Sequence, residues 1–192
     1  MIEITHHTLK YLEVSRVKYE ILIIGRGGQG VLLLGRILGL AASKYANLYA
    51  VVTESYASET RGGESRSDVI IASTMEEAPY VKVIKPDLAI FMYSYGVVAY
   101  RSMFDSNTII VVDEEYVEPS LFKGLKVISA KYSEISEKTL GTRRVANMVI
   151  LGRVLRELKV LSLDHIRRAL EEIIPSNWLH LNLKALEIGY NM

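Results

Sequence analysis

The residues best suited to chemistry form a glycine run, Gly25-Arg26-Gly27-Gly28-Gln29-Gly30, between two apolar stretches, Tyr19–Ile24 and Val31–Ala42. Gly25, Gly27 and Gly30 have the spacing of a dinucleotide-binding fingerprint. Glycines there permit a tight turn and bring amide N–H groups to a ligand at the positive end of the following helix, which suits a phosphate or other anion. The other reading is that they only pack helix against strand. NAD would also require an acid about 20 positions on. Glu54 lies near that place, so an NAD-binding oxidoreductase is the second functional reading.

A second polar tract, Glu54–Asp68, contains Arg61-Gly62-Gly63, a guanidinium fork beside flexible backbone that fits carboxylate or phosphate. It reads as a long loop between two buried strands, ordering when a partner binds. Following the second strand, it falls on the same sheet edge as the glycine run, where open α/β sheets gather their ligands. A subunit interface held by Arg–carboxylate pairs accounts for it equally well.

Other candidates carry less. Asp113-Glu114-Glu115 reads as a solvated strand end before a cation site. Thr142 reads as a helix cap, Arg143 and Arg144 as surface or interface residues, and Asn147 as a satisfied buried amide or loop anchor. The histidines, His6, His7, His165 and His180, stand in no catalytic pattern. Neighbours such as His6 and His7 diverge on a helix, so a surface helix or docking tail is preferred there to a metal site.

These residues must be positioned by alternating elements. Strands are expected at Tyr19–Ile24, Leu48–Thr53, Asp68–Ala72, Asp87–Tyr93, Thr108–Val112 and Leu125–Ser129. Val31–Ala42 is apolar nearly all round, as a helix buried on a sheet must be. Helices are expected over Arg144–Leu158, from the Ser162 cap to Pro175, and over Asn177–Ile188 with a cap near Gly189. The fold class that follows is α/β: a single domain over residues 19–190, with a doubly wound, mostly parallel sheet and C-terminal helices. Residues 1–18 form an N-terminal extension.

Composition narrows the function. With 192 residues, 49% apolar, the chain supports one core. Its 23 basic and 22 acidic residues are not clustered, which argues against nucleic acid as a partner. No cysteine is present, so neither a disulfide nor a cysteine-ligated iron–sulfur cluster can be built from this chain, and a reducing cytoplasm is the expected compartment. No signal peptide is recognisable, and Val31–Ala42, interrupted by Arg36, is too short to span a membrane.

Taken in order, the motifs resemble the gamma subunit of 2-oxoacid:ferredoxin oxidoreductases. The resemblance runs through Gly25–Gly30, Ser55-Tyr56, Glu59-x-Arg61-Gly62-Gly63, Ser65–Ile71, Lys85-Pro86-Asp87, Asn147–Gly152 and Leu181–Leu186. Ala57-Ser58 departs from the Gly-Pro of many relatives. The resemblance implies a complex that decarboxylates a 2-oxoacid to an acyl-CoA and passes two electrons to ferredoxin. It places thiamine diphosphate and Mg between alpha and beta subunits, and [4Fe–4S] clusters in other chains, including a ferredoxin-like delta subunit. It also puts coenzyme A near the gamma-type domain, making Gly25, Gly27, Gly28, Gln29, Gly30, Arg61, Gly62 and Gly63 the expected contacts. No catalytic residue is assigned, and the isolated chain is expected to be inactive. Pyruvate, 2-oxoglutarate and branched 2-oxoacids all remain open as substrates; Ser65–Asp68 looks most like 2-oxoglutarate-type relatives. A purely structural subunit is the further alternative.

Overall fold

A computed structural model describes residues 18–57, 63–78 and 80–192. His6 and His7 lie outside the described residues. All six expected strands are present: β1 Lys18–Arg26, β2 Tyr49–Tyr56, β3 Glu64–Ala72, β4 Leu88–Phe91, β5 Ile109–Asp113 and β6 Lys126–Ala130. They form one sheet in the order β2-β3-β1-β4-β5-β6. β1, β4, β5 and β6 are mutually parallel, while β3 runs antiparallel to both β1 and β2. The sheet is therefore mostly parallel, and β1 begins at Lys18, one residue before the expected start.

Burial on both faces explains the continuous apolar runs. Along β1, Ile21 and Ile23 enter one core and Leu22 and Ile24 the other. The first core lies under helices α1 (Val31–Leu40), α3 (Tyr132–Leu140), α4 (Ala146–Leu155), α5 (Leu163–Ile173) and α6 (Ser176–Tyr190). The second is closed by shorter pieces, among them α2 (Val97–Tyr100), and is built round the rings of Phe91, Phe104 and Phe122. No described helix is long and apolar enough to cross a membrane.

Several expectations need correction. Most of the tract Glu54–Asp68 is not loop: β2 runs to Tyr56 and β3 starts at Glu64, pairing Tyr56 with Ser65 in an antiparallel hairpin. Its charged residues Arg66 and Glu54 are paired laterally, Arg66 by a bidentate bond to Asp68 at 2.8 and 2.6 Å and Glu54 by Arg36 at 2.7 and 2.8 Å. Helix α3 was not foreseen. α1 continues into a π turn at Ala41–Tyr45.

Gly189 does not cap α6 but lies inside it. There α4 and α6 cross backbone to backbone: a methyl on Gly189 would overlap the Val149 carbonyl oxygen, and one on Gly152 the Leu186 carbonyl oxygen. Every residue of α4 except Arg153 is buried, so the helix has no room to retreat. Gly189→Ala is expected to lower stability by about 3 kcal/mol through overpacking, or roughly 6–12 °C in melting temperature for a chain of this size. Thermal unfolding followed by circular dichroism checks it; an unchanged midpoint contradicts the crossing.

Candidate functional site

β1 and β4 are neighbours, but the chain leaves their carboxyl ends in opposite directions: β1 toward β2 and β3, β4 toward β5 and β6. Such a switch point opens a crevice at the sheet edge. The glycine run forms one wall. Gly28 and Gly30 adopt φ of 94° and 80°, the left-handed region that glycine enters without strain. Gly30 is the N-cap residue of α1, which carries no side-chain cap. The first turn of α1 thus offers its amide dipole outward.

Four bonds hold the loop. Gly27 N donates to Gly63 O and Gln29 N to Arg26 O, both at 3.0 Å. The Gln29 side chain accepts from Arg26 N at 2.7 Å and donates to Met92 O at 2.9 Å. The structure therefore brings together Gly25, Gly27, Gly28, Gln29, Gly30 and Gly63. Arg61 and Gly62 lie outside the described residues.

A cavity of about 200 Å³ opens beside the loop, bordered by Gly28, Gln29, Tyr116, Ser133, Arg143 and Arg144. The last four were not assigned to a site from sequence. The Arg143-Arg144 pair was visible next to Thr142, which is not the expected helix cap because α4 is N-capped by Val145, but nothing local ties the pair to a glycine loop more than a hundred residues earlier. The fold makes that connection through α4: Asn147, 4% exposed, packs its amide against Gly30, where a methyl would overlap it.

The two arginines differ. Arg143 is ion-paired to Glu115 and Glu137 and also bonds the Tyr116 hydroxyl. Arg144 has no carboxylate partner among the described residues; its guanidinium lies 5.7 Å from the centroid of the Trp178 ring. Arg26 is alike, 5.7 Å from the ring of Tyr93 and without a described carboxylate. Two guanidiniums without an ion pair among the described residues thus flank the glycine loop, each resting on an aromatic ring, which favours an anionic ligand.

Two acids are excluded from ligand chemistry. Glu54 is taken by Arg36, and β2 is separated from β1 by β3, so Glu54 does not stand where NAD ribose recognition requires an acid. Asp113 is not a solvated strand end: it is 1% exposed, and one carboxylate oxygen accepts from Ser133 N at 3.0 Å and Ser133 Oγ at 2.6 Å. It caps the start of α3 from across the sheet, and among the described residues no group of three His, Asp or Glu side chains is placed to hold a metal.

Burial pushes the Asp113 carboxyl above its ordinary range, against the pull of its bonds to Ser133. A raised acid pKa stabilises the fold most below the unfolded value, about 4, and that contribution is lost as pH rises through the raised one. Asp113→Asn can keep both Ser133 bonds on its one carbonyl oxygen only by turning its Nδ2 donor toward Glu115 N, which donates to the other carboxylate oxygen at 3.2 Å. It should destabilise by about 1–3 kcal/mol and flatten this part of the stability-against-pH profile, as denaturant titrations across pH would record.

Residues 20–192 match the family model for pyruvate ferredoxin/flavodoxin oxidoreductase. The chain is 33% identical to the 2-oxoglutarate synthase subunit KorC of Methanocaldococcus jannaschii over 179 residues, covering 92% of this chain and 95% of that one. Among solved structures it is similar to the gamma subunit of a keto/oxoacid ferredoxin oxidoreductase from Geobacter sulfurreducens, with TM-score 0.73, 28% identity, and 90% and 96% of the two chains covered. It also shares the fold of part of the 2-oxoglutarate:ferredoxin oxidoreductase from Magnetococcus marinus, with TM-score 0.78 and 20% identity, covering 91% of this chain and 30% of that one. That structure contains 2-oxoglutarate, coenzyme A and succinyl-CoA.

Proposed function

The chain belongs to the pyruvate ferredoxin/flavodoxin oxidoreductase family and is a gamma-type subunit of a 2-oxoacid:ferredoxin oxidoreductase; on that premise we propose that it presents coenzyme A at the cleft between β1 and β4. The observation that carries the proposal is the pair of guanidiniums without an ion pair among the described residues, Arg26 and Arg144, beside the uncapped start of α1. Coenzyme A carries several phosphate oxygens, and this arrangement supplies both amide and guanidinium donors for them. Gly27, Gly28 and Gly30 let the ligand approach the backbone, while Gly25 and Gln29 shape the loop. Gly63, which accepts from Gly27 N, together with Arg61 and Gly62 is the second set of contacts proposed for coenzyme A.

In this reading the chemistry takes place elsewhere in the complex. Thiamine diphosphate with Mg, held by alpha and beta subunits, would supply the decarboxylation of the 2-oxoacid to CO₂. The [4Fe–4S] clusters of partner chains, including a ferredoxin-like delta subunit, would carry the two electrons to ferredoxin, and the acyl group would pass to the coenzyme A sulfur. Without cysteine, this chain cannot supply thiolate ligands to those clusters. It works in the cytoplasm, with residues 19–190 as the functional domain and 1–18 as an extension. 2-Oxoglutarate is the proposed oxoacid, supported by the KorC relatives.

Arg144→Ala in the assembled complex should raise the KM for coenzyme A on the order of tenfold, as loss of a charge-assisted bond would, and leave the KM for 2-oxoglutarate unchanged. Arg61→Ala should act in the same direction. Steady-state kinetics with each substrate varied in turn decides it. If the complex dissociates while coenzyme A affinity holds, the chain is architectural and the proposal fails.

A further inference from the structure

The end of the β1–β4 ladder is irregular in a way that bears on the cleft. Ile24 pairs with Phe91, and Met92 N donates to Ile24 O at 2.8 Å. In an unbroken parallel ladder the next rung runs from Arg26 N to Met92 O. Here the two atoms are bridged by Gln29: Arg26 N donates to its Oε1 at 2.7 Å, and its Nε2 donates to Met92 O at 2.9 Å. A primary carboxamide has the acceptor and donor of a peptide group, so the ladder continues through a side chain inserted between the strands.

Gly25 leaves the necessary space. A methyl there would lie 3.0 Å from Gln29 Oε1 and 3.2 Å from Met92 Cβ. The backbone of Gln29 also closes the turn onto Arg26 O, so the residue is tied to β1 twice and to β4 once.

We propose that Gln29 is a positioning residue, a surrogate peptide unit spliced into the β1–β4 ladder that spreads the switch point and holds the glycine loop in its ligand-facing shape. It acts on coenzyme A through the loop, because the carboxamide nitrogen and oxygen are turned to protein backbone. This rests on the proposed cleft for coenzyme A.

The test uses the purified complex carrying Gln29→Met, Gln29→Glu or Arg144→Ala. Met keeps the length of the side chain and removes both bonds. Glu keeps the acceptor, and only its protonated form can donate to Met92 O. Gln29→Met should raise the KM for coenzyme A on the order of tenfold, the effect of about one lost hydrogen bond, with kcat and the KM for 2-oxoglutarate within about twofold. Coenzyme A affinity of Gln29→Glu, measured by calorimetry, should recover toward wild type as pH falls from about 8 to 5, while Gln29→Met shows no recovery.

An unchanged KM for coenzyme A in Gln29→Met overturns the proposal if Arg144→Ala raises it. If neither variant changes it, the coenzyme A reading of the cleft falls first. Equal losses for both substrates also overturn it, since a strut at this edge has no reason to affect the oxoacid. Failure of both Gln29 variants to assemble counts against it as well, because a ladder end that shapes only the cleft leaves both cores intact.

Discussion

Strand β1 is buried on both faces and hydrogen-bonded along both edges, antiparallel to β3 on one side and parallel to β4 on the other. From Glu20 to Gly25 it is buried, and its backbone polar groups there must be satisfied within the protein. The chain nevertheless has to leave the sheet there, turn, and enter α1. The arrangement after Arg26 answers that constraint. Gly27 donates across to the start of β3, and Gln29 supplies the bond that β4 is owed. The loop that results is rigid because it completes a sheet, and it faces outward because the sheet ends there.

Much of this was legible from sequence, for identifiable reasons. Strands covered on both faces must be apolar throughout, so β1, β4 and β5 stood out without alternation. Ser162 announced α5 because its cap is local: Ser162 Oγ accepts from His165 N at 3.2 Å, and the His165 ring accepts from Ser162 N in return. The hairpin β2–β3 was harder, since Glu54, Arg66 and Asp68 look like loop residues until Arg36 and the neighbouring rung are in place. Helix α3 left little trace: its start is capped by Asp113, which precedes it by some 20 residues and gives no signal in the local sequence. The site divides in the same way. The glycine loop is contiguous and was recognised; Tyr116, Ser133 and Arg144 join it only through the packing of α3 and α4.

Electrostatics separates residues that composition makes equivalent. Arg143 and Arg144 are adjacent, yet one is neutralised by two carboxylates and the other by none among the described residues. The first acts as a brace between the segment after β5 and the end of α3. The second keeps its charge available, with Trp178 limiting where it can point. A chain with net charge of only +1 can thus carry a locally positive edge. Elsewhere cations are compensated by carboxylates, such as Lys44 by Glu172 and Lys126 by Glu157.

The hairpin joining β2 to β3 is closed at its base by Ala57 N donating to Glu64 O at 2.9 Å, and it is tied to the glycine loop by Gly63 O. Residues gained or lost between Ala57 and Gly63 leave the register of β2 on β3 unchanged, because that pairing ends at Tyr56 and Ser65. Evolution is therefore free to change the length and composition of the chain between Ala57 and Gly63 while the glycine loop stays constant. Among relatives, diversity in what the cleft admits should accumulate at the hairpin tip, with the Gly27–Gly63 contact marking where variation stops.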